Sequence, residues 1–370
     1  MEDRWAGIYG HRHNREVLDT IIKTTQVPHA LLFSGKEGIG KDFISIRFAQ
    51  LINKSIAPQN LIQQILIGIS NLSEPYIKYI FPLPRGRNED DDSTPFEKLS
   101  ISELDAIKEA LKQKVSNPYY HIKLDKANNI KISSMRDINR FLSLQYETDF
   151  FRFILISDAH LMNEISQNAL LKNLEEPPEK VIFILTTPFP ELLRETIRSR
   201  CWSLHFSPLS NSDVSKILIK YFKVEDILAN EVSVFSDGSI ATAMKLLDSG
   251  FSELKNKTIS FLRYSLGKKF TLAYNEISEF LKNSDSQRLK IFIFMIISWL
   301  NDLQKHRILK NNFFFDDHKE TLEKFNKKFP DANVNDIVIK LDRLSSLLDN
   351  NINPNLIVMN MIYNIASLTK

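Results

Sequence analysis

In the first half of the chain, short continuous apolar runs alternate with stretches whose apolar residues recur every three or four positions. Ala30-Leu31-Leu32-Phe33 stops at Gly35, and residues 151–156 and 181–185 are apolar runs of similar length. Such runs, bounded by turn signals, read as strands buried on both faces. Trp202, Leu204 and Phe206 alternate with Ser203 and His205, the pattern of a half-buried strand. Residues 121–124 predict a further strand. Residues 43–52 predict a helix, as do residues 133–144, where Met135, Ile138, Phe141 and Leu142 fall at helical spacing. Strands alternating with helices imply an α/β domain with a mainly parallel sheet.

The pattern changes after Pro208. Glycine becomes sparse and helical spacing takes over; Val334, Ile337, Val338, Leu341, Leu344 and Leu348 fall on one helical face. This half is expected to be all-helical. One boundary is placed near Ser207-Pro208 and a second within residues 250–266. The longest apolar run, residues 291–300, is about half of the roughly 20 residues a membrane span requires, so a buried helix is expected. Residues 85–94 read Arg-Gly-Arg-Asn-Glu-Asp-Asp-Asp-Ser-Thr and predict a solvated loop rather than a metal site, because clustered acids without a scaffold fix no coordination geometry.

Composition narrows the class. The 370 residues are 43% hydrophobic and 25% charged, ordinary for a folded globular chain and incompatible with pervasive disorder. Forty-eight basic against 45 acidic residues leave a net charge of +3, too small to argue for nucleic-acid binding by itself. The single cysteine, Cys201, excludes an intrachain disulfide and a cysteine-based zinc site, and fits a reducing cytoplasm. Met1-Glu2-Asp3-Arg4-Trp5 lacks the apolar stretch of a signal peptide.

The first motif with chemistry is Gly35-Lys36-Glu37-Gly38-Ile39-Gly40-Lys41-Asp42, lying between the first strand and a helix. The P-loop pattern is G-x-x-x-x-G-K-[S/T]. Its glycines let backbone N–H groups wrap a phosphate, the helix N-terminus adds positive potential, and the lysine adds a charge. Gly35, Gly38, Gly40, Lys41 and Asp42 are therefore candidate nucleotide-binding residues. Asp42 departs from the pattern: the usual hydroxyl ligates Mg²⁺, whereas a carboxylate brings negative charge to the triphosphate. Weakened or altered nucleotide binding is expected, with ATP and Mg²⁺ occupancy left open.

The second-strand segment, Phe153-Ile154-Leu155-Ile156-Ser157-Asp158-Ala159-His160, has Ser157-Asp158 where a working enzyme of this type reads Asp-Glu. Ser157 supplies no charge for the metal shell, and Asp158 is one methylene shorter than Glu. In the alternative register Asp158 serves the metal and Ala159 takes the base position. Either register lacks one part, so hydrolysis by this chain is expected to be weak or absent.

The remaining motifs carry a family resemblance. Asn168-Ala169-Leu170-Leu171-Lys172-Asn173-Leu174-Glu175-Glu176-Pro177-Pro178 resembles the segment after the second strand in bacterial clamp-loader subunits. Leu185-Thr186-Thr187-Pro188 resembles their sensor-1 strand end, and Ile197-Arg198-Ser199-Arg200-Cys201 their Ser-Arg-Cys motif. Gly10-His11 and the stretch from His29 to Gly35 are similar to the family's entry pattern. These motifs are in order over residues 8–206. The resemblance implies an α/β P-loop AAA+ domain with a parallel sheet (1–208), a helical lid (209–262) and an all-α C-terminal collar (263–370).

Within the family, the ATP-hydrolysing gamma/tau branch keeps the full P-loop, the Asp-Glu pair and a sensor-2 arginine. Here Asp42, Ser157 and Ala241 stand at those positions, so the delta-prime branch is the better match and gamma/tau the alternative. The family's four-cysteine zinc module is missing from residues 53–118, so no zinc is expected. The resemblance implies an open ring of subunits with ATP between neighbours, in which Arg200 acts in trans as an arginine finger. It implies Thr187, beside Thr186, near a phosphate. The implied partners are gamma/tau and delta subunits, the beta sliding clamp and primed DNA gripped by the assembled ring, within the DNA polymerase III holoenzyme; no membrane is involved. Cys201, His160, Glu175 and Glu176 are expected to be structural, and residues 291–295 with Trp299 to be core.

Overall fold

The computed structural model describes all residues except 1–3, 25, 87–93, 145–149, 283–285, 309, 311–312, 351 and 370, and the side chains of 279–282 and 349. The acidic run of the expected loop at 85–94 thus falls mostly outside the described residues. The chain divides into two compact units, Met1–Thr242 and Ala243–Lys370. This boundary falls inside the stretch 209–262 expected to form a lid.

The first unit opens with α1 (Arg12–Thr24), β1 (Ala30–Ser34), α2 (Lys41–Ile56) and α3 (Ile62–Ser70). It continues with β2 (Ile77–Ile80), α4 (Ile101–Ser116), α5 (Ile132–Ser143), β3 (Arg152–Ile156), α6 (Glu164–Glu175) and β4 (Val181–Thr187). A short α7 (Glu195–Arg198), β5 (Trp202–His205), α8 (Asn211–Phe222) and α9 (Asp226–Phe235) complete it. α10 (Ile240–Asp248) spans the boundary.

All strand pairs are parallel, in the order β2-β3-β4-β1-β5. β1 and β4 are buried at every position, which is why their sequences run apolar without alternation. Each such Leu or Phe withdrawn from water contributes about 1.5–3 kcal/mol. One face of the sheet packs on α5 and α6 through Met135, Ile138, Phe141, Leu170 and Leu174, with Cys201 at the edge of the same cluster.

One strand expectation is corrected, and one strand was not expected. Residues 121–124 form no strand; they are irregular chain between turns, and their polar members reach toward the P-loop instead of a sheet neighbour. One edge strand is β2, drawn from Ile77-Lys78-Tyr79-Ile80, which pairs with β3 from Ile77↔Phe153 to Ile80↔Ile156. Its mixed polarity hides it in the sequence, since Lys78 and Tyr79 interrupt the apolar run. The cysteine-free insertion therefore builds part of the sheet. It also has its own small core, where Phe81, Leu83, Leu99, Ile107, Ala110 and Ile122 pack together.

The helix that ends this insertion has a clear start. Ser100 accepts from the Glu103 N–H, and Glu103 accepts from the Ser100 N–H, a reciprocal cap at the N-terminus of α4.

The second unit is helical: α11 (Phe251–Leu266), α12 (Phe270–Lys282), α13 (Ser286–Arg307), α14 (Lys319–Lys328), α15 (Val334–Leu347) and α16 (Pro354–Ala366). Phe292, Ile293, Met295 and Trp299 of α13 are buried, and Trp299 meets Phe325 edge-on at 5.8 Å. Val334, Ile337 and Leu341 of α15 are buried as their spacing predicts. No helix among the described residues is long and apolar enough to cross a membrane.

Candidate functional site: the P-loop and its surroundings

The P-loop lies between β1 and α2, the position its sequence predicts. Gly38 and Gly40 adopt φ of +74° and +93°, and both are tightly covered. A Cβ on Gly38 would stand 2.3 Å from the Ala241 nitrogen, and one on Gly40 would stand 2.8 Å from the Tyr119 ring. The loop is thus gripped from two sides. The turn before α10 supplies one side: Ile240 N–H donates to Gly38 O at 3.0 Å, Ser239 Oγ to Glu37 O at 2.7 Å, and Lys36 pairs with Asp237. The chain after α4 supplies the other.

Lys41 does not extend into open space. Its Nζ donates to Gly35 O at 2.7 Å and to Lys36 O at 2.6 Å. Burial lowers its pKa to about 8, against the raising effects of Asp42, Asp158 and Glu37.

Asp42 is the centre of the site. It is buried, and four donors converge on it: Thr186 Oγ1 on Oδ1 at 2.8 Å, and Tyr79 Oη at 2.9 Å, Ser157 Oγ at 2.9 Å and Lys114 Nζ at 3.2 Å on Oδ2. Burial alone would raise its pKa. The Lys114 ammonium, the Thr186 hydroxyl, the His121 charge and the Ser157 hydroxyl outweigh that and hold the carboxyl below the usual carboxylate range. The same burial and the Asp42 charge push the Tyr79 phenol up.

The register of the sheet explains the convergence. Ile156, at the end of β3, pairs with Leu185 of β4. The next residues, Ser157 and Thr186, therefore stand side by side over the start of α2. Tyr79 and Lys114 come from the insertion.

Lys114 is 3% exposed, and its remaining hydrogen bonds go to Pro118 O at 3.0 Å and Tyr120 O at 2.8 Å. Sequence reasoning missed it. Its signal is readable all the same: Ile107, Ala110 and Lys114 fall at i, i+3 and i+7 and are the buried face of α4, so a lysine continues an apolar stripe. A lysine buried that way needs a carboxylate partner.

The cavity lined by Gly38, Gly40, Lys41, Asp42, Lys114 and Thr186, among others, holds about 30 Å³. That is space on the scale of a water molecule. Gly35 and Thr187 do not line it. Thr187 pairs with Ser34 across the sheet and its hydroxyl accepts from Phe189 N–H at 3.0 Å, so Thr186 rather than Thr187 reaches Asp42.

Magnesium requires near-octahedral oxygen ligands at about 2.0–2.1 Å. Both Asp42 oxygens already serve donors, and an ammonium stands where the cation would approach. The residues present do not fit a metal-bound nucleotide in this arrangement.

Beside the cavity, His121 Nε2 lies 3.2 Å from Asp158 Oδ2, and Lys123 Nζ 2.6 Å from Glu37 Oε1. Asp158 adopts φ of +53° at the turn after β3. His160 packs edge-on against Phe189, and burial lowers its pKa.

Arg200 lies outside this cavity, in the turn between α7 and β5. Its guanidinium pairs with Glu175 Oε1 at 2.9 Å and donates to Thr196 O at 2.9 Å, at about one-third exposure. Glu175, at the end of α6, thereby has a partner of its own. Cys201 next to it is buried, and its thiol is pushed up to about 12 by that burial.

Residues 10–210 match the family described as DNA polymerase III, delta subunit, and residues 256–367 match DNA polymerase III, delta subunit, C terminal. The chain belongs to the DNA polymerase III delta-subunit family. The parallel sheet with its P-loop and the helical C-terminal region agree with the architecture expected from the clamp-loader resemblance. Curated relatives include the DNA polymerase III tau subunit of Bacillus subtilis, 26% identical over 67% of this chain and 38% of that one. The gamma subunit of Buchnera aphidicola subsp. Schizaphis graminum is 26% identical over 80% of this chain and 73% of that one. The chain spans 38% and 33% of the lengths of the Bacillus subtilis tau and Haemophilus influenzae tau/gamma subunits. Among solved structures, a gamma-subunit-related protein of DNA polymerase III from Thermotoga maritima aligns over 95% of this chain at 15% identity, with a TM-score of 0.47.

Proposed function

We propose that this member of the delta-subunit family is a delta-prime-like clamp-loader subunit. In this reading it joins gamma/tau and delta subunits in a ring that loads the beta sliding clamp on primed DNA. Its own ATP hydrolysis is weak or absent, and Arg200 completes the ATP site of a neighbouring subunit. The observation that carries the reading is the Asp42 cluster: a P-loop whose metal-ligand position is a carboxylate already neutralised by Lys114 is unsuited to run hydrolysis itself. Arg200, about one-third exposed and held by Glu175 and a backbone carbonyl, supports a guanidinium that a partner could draw from its ion pair. A guanidinium beside the transferring phosphoryl neutralises developing charge, an effect worth about 10³–10⁵ in rate where a finger completes a GTPase.

A gamma/tau-like, self-hydrolysing reading draws on the names of the relatives, and the saturated Asp42 weighs against it.

The test is ATP turnover by the chain alone and in a mixture with gamma/tau, delta, beta and primed DNA. Turnover only in the mixture, lost with Arg200→Ala, is expected. Robust turnover by the chain alone, or an unaffected Arg200→Ala mixture, would overturn the proposal.

A further inference from the structure

Asp42 and Ser157 look like two separate losses when read one at a time. In space they are one pair. Where the P-loop pattern puts a hydroxyl on the helix and a carboxylate on the second strand, this chain has the carboxylate on α2 and the hydroxyl after β3, joined by a 2.9 Å hydrogen bond running from Ser157 Oγ to Asp42 Oδ2. The inventory of one carboxylate and one hydroxyl is unchanged; donor and acceptor have exchanged places. What differs is the cation. Lys114 Nζ sits 3.2 Å from Asp42 Oδ2, and its other hydrogen bonds anchor residues 118 and 120 directly over the loop. Tyr119, between those two anchors, covers Gly40.

We propose that Lys114 is a resident cation that fills the divalent-metal position of this P-loop, and that it excludes metal-bound nucleoside triphosphates while fastening the insertion over the site. Two physical points support this. An ammonium and a divalent cation repel strongly at the separation that sharing one carboxylate oxygen imposes. Displacing Lys114 would also leave a buried ammonium and two backbone carbonyls without partners, since the side chain is 3% exposed. The altered P-loop is thus a completed internal ion pair, and the block to nucleotide resides in the insertion as well as in the P-loop. The inference concerns the chain's own P-loop and does not depend on Arg200.

The test measures equilibrium binding of a fluorescent ATP analogue to the full chain, with Mg²⁺ and with EDTA. Three proteins are compared: wild type, Asp42→Thr/Ser157→Asp, and Asp42→Thr/Ser157→Asp/Lys114→Met. The double variant restores the pattern's hydroxyl and acid but keeps the ammonium, which can pair with the new carboxylate. Wild type and double variant are expected to show no Mg²⁺-dependent binding. The triple variant is expected to bind at least tenfold more tightly with Mg²⁺ than with EDTA, and to melt higher when Mg²⁺ and the analogue are added together.

Mg²⁺-dependent binding by the double variant equal to that of the triple would overturn the role of Lys114. So would a folded triple variant without Mg²⁺ dependence. If the triple variant does not fold, the double variant decides: Mg²⁺-dependent binding there would sink the proposal, and its absence with the hydroxyl and acid restored and Lys114 kept would uphold it. Because this assay uses the isolated chain, its failure leaves the ring assay with Arg200→Ala untouched, and the converse holds too.

Discussion

Replacing Lys114 by methionine probes the buried ion pair directly. Lys114 and Asp42 are 3% and 11% exposed at the side chain, with 3.2 Å between Nζ and Oδ2. Two unit charges at that distance attract by roughly 5 kcal/mol at an effective dielectric of about 20. Desolvation of both charges offsets most of this, so the intact pair adds little net stability. Removing one partner is different. Methionine keeps the length of the side chain but leaves a buried carboxylate without its cation, and leaves Pro118 O and Tyr120 O without their donor. A cost of about 3–5 kcal/mol is expected. Asp42→Asn added to Lys114→Met removes the stranded charge while its amide oxygen still accepts from the Thr186 hydroxyl. The double variant should therefore recover about 2 kcal/mol or more, a non-additivity that only coupled residues produce.

The chain has two units, so a single two-state midpoint is not the right measure. Hydrogen exchange of the β1 and α2 segments across a urea series reports the first unit by itself. A Lys114→Met cost below about 1 kcal/mol, or additivity of the two changes within about 0.5 kcal/mol, would refute the ion-pair reading.

Other outcomes follow from the same geometry. The Asp42 carboxyl is held below its ordinary value, so its stabilising contribution is fully present above about pH 4 and is lost as the pH falls below that. Asp42→Asn should therefore flatten the acid side of the urea-midpoint curve relative to wild type; parallel curves would contradict the assignment. The Cys201 thiol, raised to about 12 by burial, should resist a disulfide reagent at pH 8 until denaturant is added, and rapid labelling of the native chain would show that it is accessible. Gly38→Ala should destabilise the first unit by about 2 kcal/mol or more, because φ of +74° disfavours any side chain and the new Cβ would meet the Ala241 backbone at 2.3 Å. An unchanged urea midpoint for the first unit would mean that the turn before α10 does not clasp the loop.

The sequence by itself determined the elements whose physics is local. Four of the five strands among the described residues are legible as apolar runs or as alternation. The P-loop is legible from its glycines and lysine, and the helical second unit from spacing such as Val334, Ile337 and Leu341. Burial on both faces of a central parallel strand leaves a direct compositional trace. β2 left none, because its two central residues, Lys78 and Tyr79, carry polar groups that reach Asp137 and Asp42 and break the apolar run.

The meaning of Asp42 was decided only by tertiary structure. Its partners Ser157, Thr186 and Lys114 lie 115, 144 and 72 positions away along the chain, and nothing local links them. Taken singly, a lost hydroxyl and a lost acid are two defects. The sheet register sets Ser157 and Thr186 side by side, and α4 delivers Lys114 to the same oxygen, so the defects become one neutralised cluster. A hydrogen bond works with donor and acceptor on either side, and a carboxylate accepts a fixed ammonium as readily as a diffusible cation. A motif records which residue types are present. Which charge faces which is set by the packing that brings distant segments within 3 Å.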